Sequence, residues 1–160
     1  MREDVTVGNV GEDIRALRIV SPAYAGRDGE LTAVLQYVYQ SILLGECGCK
    51  ELSCDLMHIA FDEMHHLQIL GTLITKLGAP PVFTACPPYP VSYYSASCVC
   101  YVRAPREMIA ADIRAEKSAI ACYCRMLELL DNPAVRQVIS AILCDERRHL
   151  KTLECWANRL

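Results

Sequence analysis

Two segments of the chain carry the same series of residue types. Glu30 is followed seven residues later by Tyr37 and then by Glu63-Met64-His65-His66, while Glu116 is followed seven residues later by Tyr123 and then by Glu146-Arg147-Arg148-His149. Each copy supplies one isolated Glu and one Glu-x-x-His. A Glu from each of two helices plus a Glu-x-x-His from each of the other two is the ligand set of a carboxylate-bridged dinuclear metal site inside a four-helix bundle. In a Glu-x-x-His the two side chains stand one turn apart on one helix face, so both reach a single ion. Four ionised carboxylates facing one another in a core would be very costly without cations, and two divalent ions balance them. A single Glu-x-x-His is more often a solvated surface pair. Two copies, each with its upstream Glu, single out Glu30, Glu63, His66, Glu116, Glu146 and His149 as metal ligands.

Residues near these six have weaker assignments. Tyr37 and Tyr123 fall two turns beyond Glu30 and Glu116, where they would be hydrogen-bond or one-electron donors to the metals, or plain core tyrosines. Asp112 lies one turn before Glu116 and would accept the free N–H of a ligating histidine, or else serve as a surface cap near a helix start. His65 is turned about 100° from the ligand face. His58 has no partner pattern, so neither is expected to be a ligand.

Helices must position these groups. Leu31, Val34, Leu35, Val38, Ile42 and Leu43 recur at helical spacing and predict a helix from about residue 27 to 44, ended by Gly45 and Gly48. Ser53 is the expected N-cap of a second, longer helix stopped by Gly78 and Pro80-Pro81. A third is expected from Pro105 to Leu130, and a fourth from Pro133 to about Trp156, with Asp131-Asn132 as its cap. Short links make antiparallel hairpins of helices 1–2 and 3–4. The link of about 26 residues from Ala79 to Ala104 is long enough to run the length of the bundle. Its Pro87, Pro88 and Pro90, with Tyr93 and Tyr94, suit an ordered strap. The fold class is therefore all-α, a four-helix bundle of two antiparallel hairpins joined by one long crossover. Residues 1–25 are expected to form an extended arm, and residues 26–160 the bundle domain.

Composition agrees with a globular domain: 160 residues, 52% hydrophobic and 22% charged, with formal net charge -3. No sustained basic run suggests nucleic acid, and no apolar stretch has the length of a signal or a membrane span, so a cytoplasmic protein is expected. Ten cysteines include three Cys-x-Cys pairs, Cys47/Cys49, Cys98/Cys100 and Cys122/Cys124. Paired Cys-x-x-Cys motifs of a thiolate-iron domain are absent, so reduced thiols or small-hydrophobe packing are expected for all ten.

The ligand residues resemble those of the ferritin-like superfamily, from Glu30 to Leu153. Asp62-Glu63-Met64-His65-His66 and Asp112-Ile113-Arg114-Ala115-Glu116-Lys117 are similar to segments of bacterioferritin, and Gly29-Glu30-Leu31-Thr32-Ala33 also resembles manganese catalase. The resemblance implies that Glu63 and Glu146 bridge two metals, that Glu30 and Glu116 are terminal ligands, and that His66 and His149 each bind one ion. Only 11 residues follow His149, fewer than the closing helix of cage-forming relatives needs, which makes a large iron-storing shell less expected. Met64 falls where bacterioferritins place a haem-ligating Met, though haem is not expected here. What remains resembles a minimal rubrerythrin-like or bacterioferritin-like protein. Its expected activity is di-iron redox chemistry on O2 or hydrogen peroxide, of peroxidase or ferroxidase type, with two Fe ions, an unidentified electron donor and a homodimeric state. A dimanganese catalase with two Mn ions, and non-catalytic iron binding or storage, are the alternatives.

Overall fold

The computed structural model describes residues 7–8, 10–86 and 92–160. Among them run five α-helices: α1 (Ile14–Ala25), α2 (Glu30–Glu46), α3 (Lys50–Lys76), α4 (Pro105–Leu129) and α5 (Pro133–Ala157). Helices α2 to α5 form the bundle, as two hairpins α2/α3 and α4/α5. No helix among the described residues is long and apolar enough to cross a membrane.

The first helix corrects the sequence expectation of an extended arm. Asp13 caps it, its carboxylate accepting from the backbone N–H of Arg15 (2.9 Å) and Ala16 (3.0 Å). Ala16, Leu17, Val20, Ala23 and Tyr24 then form one buried stripe at helical spacing. Pro22 sits inside this helix rather than ending it. The chain turns at Gly26 and Gly29, where it passes back over the end of α1. A Cβ on Gly26 would lie 2.3 Å from the Pro22 carbonyl oxygen, and one on Gly29 would lie 2.5 Å from that of Ala23. Only glycine permits so close an approach. The turn matters to the site because Gly29 is the N-cap of α2 and Glu30 its first residue.

Helix α3 begins at Lys50, one turn earlier than a Ser53 cap would allow. Ser53 instead faces Ser41 across the hairpin, each hydroxyl donating to the other's backbone carbonyl at 2.7 Å. Helix α5 starts as the sequence predicts, with Pro133 in its first turn and Asn132 Oδ1 accepting from Ala134 N–H at 2.9 Å.

The end of α3 packs with α1, the end of α4 and the start of α5 in one apolar cluster. The start of α3 packs with the end of α2, the start of α4 and Leu153 of α5 in a second cluster. The link from α3 to α4 therefore runs the length of the bundle. Its described parts lie on the bundle as a strap. Phe83 stacks on Tyr24 with ring centroids 5.5 Å apart, Tyr101 packs edge-on to Tyr39, and Cys100 N–H donates to Gln36 Oε1 at 2.9 Å. Pro87, Pro88 and Pro90 lie outside the described residues.

Candidate metal centre

Between the two apolar clusters lies a wholly buried acidic layer: Glu30, Glu63, His66, Glu116, Glu146 and His149 are each 4% exposed or less. Every helix of the bundle supplies part of it. Glu30 and Glu116 come from α2 and α4, and the two Glu-x-x-His sets from α3 and α5. One ligand atom each from Glu30, Glu63, His66 and Glu146 lie within 4.8 Å of one another, and the same holds for Glu63, Glu116, Glu146 and His149. Glu63 and Glu146 belong to both groups, the arrangement that bridging carboxylates require. The structure thus brings together all six residues singled out from sequence. His65 and His58 are in neither group.

Both imidazoles turn Nδ1 to the centre. His66 Nδ1 lies 2.9 Å from Glu63 Oε2, 3.1 Å from Glu146 Oε1 and 3.9 Å from Glu30 Oε2. His149 Nδ1 lies 2.9 Å from Glu63 Oε1 and 3.9 Å from Glu146 Oε2. Each Nε2 faces outward to an aspartate of the opposite hairpin: His66 to Asp145 and His149 to Asp62, both at 3.2 Å. A carboxylate behind the outer nitrogen fixes the tautomer and leaves the inner nitrogen free to bind a metal. Arg148 closes this side, reaching Asp145 Oδ1 at 2.6 Å and Asp62 Oδ2 at 2.9 Å.

Asp112 does not fill the role expected for it. It is buried and accepts from Gln36 Nε2 (2.8 Å) and Gln40 Nε2 (2.9 Å), not from a histidine. The backing of the histidines falls to Asp62 and Asp145, which the sequence reading passed over. Their signal was present, since an Asp directly precedes the Glu of both repeats. Tyr37 and Tyr123 are both buried beside the ligands, each hydroxyl donating across the bundle to the terminal glutamate of the other repeat, Tyr37 to Glu116 and Tyr123 to Glu30.

The electrostatics are those of a site built around positive charge. Burial, with repulsion from Glu63 and Glu146, pushes Glu30 and Glu116 well above the usual carboxylate range. Glu63 is held below it, because the facing imidazoles of His149 and His66 overcome burial. Burial also pulls the imidazoles down, but the surrounding carboxylates outweigh it, raising His66 well above its ordinary value and His149 to about 12. Protons thus supply the neutralising charge when no metal does, and metal uptake must expel them. Even so, Glu63 Oε1, Glu116 Oε2, Glu146 Oε1 and His149 Nδ1 are buried without a well-directed hydrogen bond, although Glu63 Oε1 and His149 Nδ1 stand 2.9 Å apart. Four orphaned acceptor or ligand atoms, two of them on the shared glutamates, fit a pair of ions.

On the α2/α4 side a cavity of about 570 Å³ opens onto this layer. Small residues make room for it: Gly29 and Ala33 on α2, and Ala111, Ala115 and Ala119 on α4. Glu30, Glu63, Glu116 and Glu146 form its floor.

Comparison with known proteins fits this architecture. Over 99% of its length the chain superposes on 78% of a manganese catalase from Anabaena, with a TM-score of 0.84 at 23% identity. The bacterioferritin of Desulfovibrio desulfuricans matches 89% of this chain and 78% of its own, at a TM-score of 0.76 and 23% identity. That of Mycobacterium tuberculosis matches 93% of this chain and 87% of its own, at 0.77 and 21% identity. The chain has a ferritin-like fold. Within that ferritin-like bundle, residues 13–83 match the family model of manganese containing catalase, a span that includes Glu30, Glu63 and His66. No curated protein matches the sequence.

Proposed function

We propose that this ferritin-like protein is a dinuclear-metal oxidoreductase acting on hydrogen peroxide or dioxygen, with two iron ions as its cofactor. The observation that carries the reading is the sharing of Glu63 and Glu146 between two ligand groups that are each completed by one further Glu and one His. Glu30 and His66 would hold one ion, and Glu116 and His149 the other. A pair of transition-metal ions supplies redox equivalents and Lewis acidity at the cavity floor. The protein's own residues do the rest. Asp62 and Asp145 hold the imidazoles, Tyr37 and Tyr123 orient the terminal glutamates, and the apolar clusters on either side exclude water. The cavity on the α2/α4 side leads a small oxidant to the floor.

A second reading, a dimanganese catalase, is favoured by the match of residues 13–83 to the manganese catalase family model. Carboxylate-rich ligands suit either metal. A homodimer belongs to the same proposal, supported by the exposed apolar Ile42, Phe61 and Met64 on α2 and α3. Metal-depleted protein reloaded with Fe(II) or with Mn(II) should bind two ions per chain and then consume peroxide. Oxygen evolved at one O2 per two peroxides with Mn(II) alone would favour the catalase. Failure of both loaded forms to consume peroxide or O2 would overturn the oxidoreductase reading.

A further inference from the structure

Three thiols share the cavity with the metal-binding carboxylates: Cys98 and Cys100 on the crossover strap, and Cys122 on α4. All ten cysteines are free and none is fully buried; Cys49 and Cys124 pack against the apolar clusters, whereas Cys98, Cys100 and Cys122 do not. Of the three Cys-x-Cys pairs, only Cys98/Cys100 has both members on the cavity wall; Cys47/Cys49 lies at the α2/α3 turn, and Cys124 does not line the cavity.

The local backbone explains why this pair acts together. Val99 is extended (φ -69°, ψ 138°) and only 5% exposed, whereas Cys98 and Cys100 are partly buried. Alternation along extended chain sends Val99 into the bundle and its two neighbours to the cavity. On the opposite wall the helical Cys122 and Cys124 diverge, by roughly 200°. Two residues of extended chain rise about 6.6 Å, which leaves the Cβ atoms farther apart than the roughly 3.5 to 4.5 Å of a disulfide, so closing the bridge bends the strap at Val99. A bridge closed against that bend is strained and readily reduced again. The strap is also anchored at this point, because Cys100 N–H donates to Gln36, which in turn donates to buried Asp112. The pair is thus held at the cavity rather than carried on a loose loop.

We propose that Cys98 and Cys100 form a resident dithiol that supplies the two electrons for peroxide reduction in this cavity. The two thiols lose two electrons and two protons and form one S–S bond. The O–O bond of hydrogen peroxide breaks, and two water molecules result. An external low-molecular-weight or protein dithiol then reduces the bridge by exchange, taking the disulfide onto itself. The inference rests on the proposed redox function and supplies the electron donor that the function lacks.

The test uses the full chain loaded with metal, reduced, freed of reductant and treated with one equivalent of hydrogen peroxide without air. Peptide mapping by mass spectrometry should find a Cys98–Cys100 disulfide, with two free thiols lost per peroxide consumed. C98S/C100S should keep two metals per chain and lose dithiol-supported peroxide turnover by tenfold or more, while C47S/C49S behaves as wild type. The metal-depleted E63A variant should form the bridge at least tenfold more slowly. The dithiol proposal is overturned if peroxide is consumed with all thiols intact, if the bridge involves other cysteines, or if C98S/C100S turns over at the wild-type rate. It is also overturned if E63A forms the bridge as fast as wild type. If loaded wild type consumes no oxidant at all, the failure lies with the redox function itself.

Discussion

The two sides of the buried acidic layer are built oppositely. On the α3/α5 side the outer faces are paired: each histidine is backed by an aspartate of the other hairpin, and Arg148 ties both aspartates together. On the α2/α4 side the terminal glutamates each receive one tyrosine hydroxyl, and beyond them small side chains leave an open cavity. In the proposed function, the closed side fixes ligand geometry and the open side admits the reactant. Metal affinity should therefore be most sensitive to changes on the first, and reactivity at constant metal content to changes on the second.

The largest effect is expected at the seam between them. Glu63→Ala or Glu146→Ala removes a carboxylate that belongs to both ligand groups, so elemental analysis should find the loss of stoichiometric two-metal binding in either variant. Retention of two ions by both would break the ligand assignment. Next come the backing groups of the closed side. Asp62→Asn and Asp145→Asn should each weaken metal binding by about 10 to 100-fold, as loss of a carboxylate behind a ligating histidine does, measured by competition with a chelator. On the open side, Ala119→Leu projects into the cavity and should slow peroxide consumption by about tenfold at unchanged metal content, a factor equivalent to about 1.4 kcal/mol in the barrier. An unchanged rate would mean that reactants enter elsewhere.

A last effect, read on stability rather than on metal content or turnover, concerns Asp112, at the edge of the open side. Burial, only partly offset by Gln40 and Gln36, pushes its carboxyl up to about 6. A raised acid binds its proton more tightly when folded, so the stability it contributes is complete below about pH 3.9 and is lost as pH rises through 6. Asp112→Asn does not titrate. Between pH 4 and pH 7 the metal-free wild type should therefore lose roughly 2 to 3 kcal/mol relative to this variant. Urea denaturation at the two pH values measures it, and a constant difference would contradict the assignment.

Much of the site was legible in the sequence because metal ligation demands particular residue types at helical spacing. Glu30, Glu63, His66, Glu116, Glu146 and His149 follow from the repeat alone, and the bundle with its long crossover follows from apolar periodicity and loop length. What was missed depends on contacts between segments distant in sequence. Asp62 and Asp145 back histidines about 80 residues away, and although an Asp precedes the Glu of both repeats, only the folded chain shows which histidine each one meets. Asp112 was one turn from a ligand, but its partners are glutamines on another helix. Helix α1 was hidden by Pro22, whose presence suggested a break although Asp13 and the stripe from Ala16 to Tyr24 specify a helix. The thiols were visible as a count, while their grouping at one cavity is a property of the folded chain.

The central claim is that two cations occupy the middle of this acidic layer. Anomalous scattering from crystals of the iron- or manganese-loaded protein tests it most directly. The account predicts two peaks about 3.5 to 4 Å apart, each within bonding distance of one His Nδ1 and both contacted by Glu63 and Glu146. A single peak, or metal bound only outside the layer with these carboxylates hydrogen-bonded to one another, would contradict it.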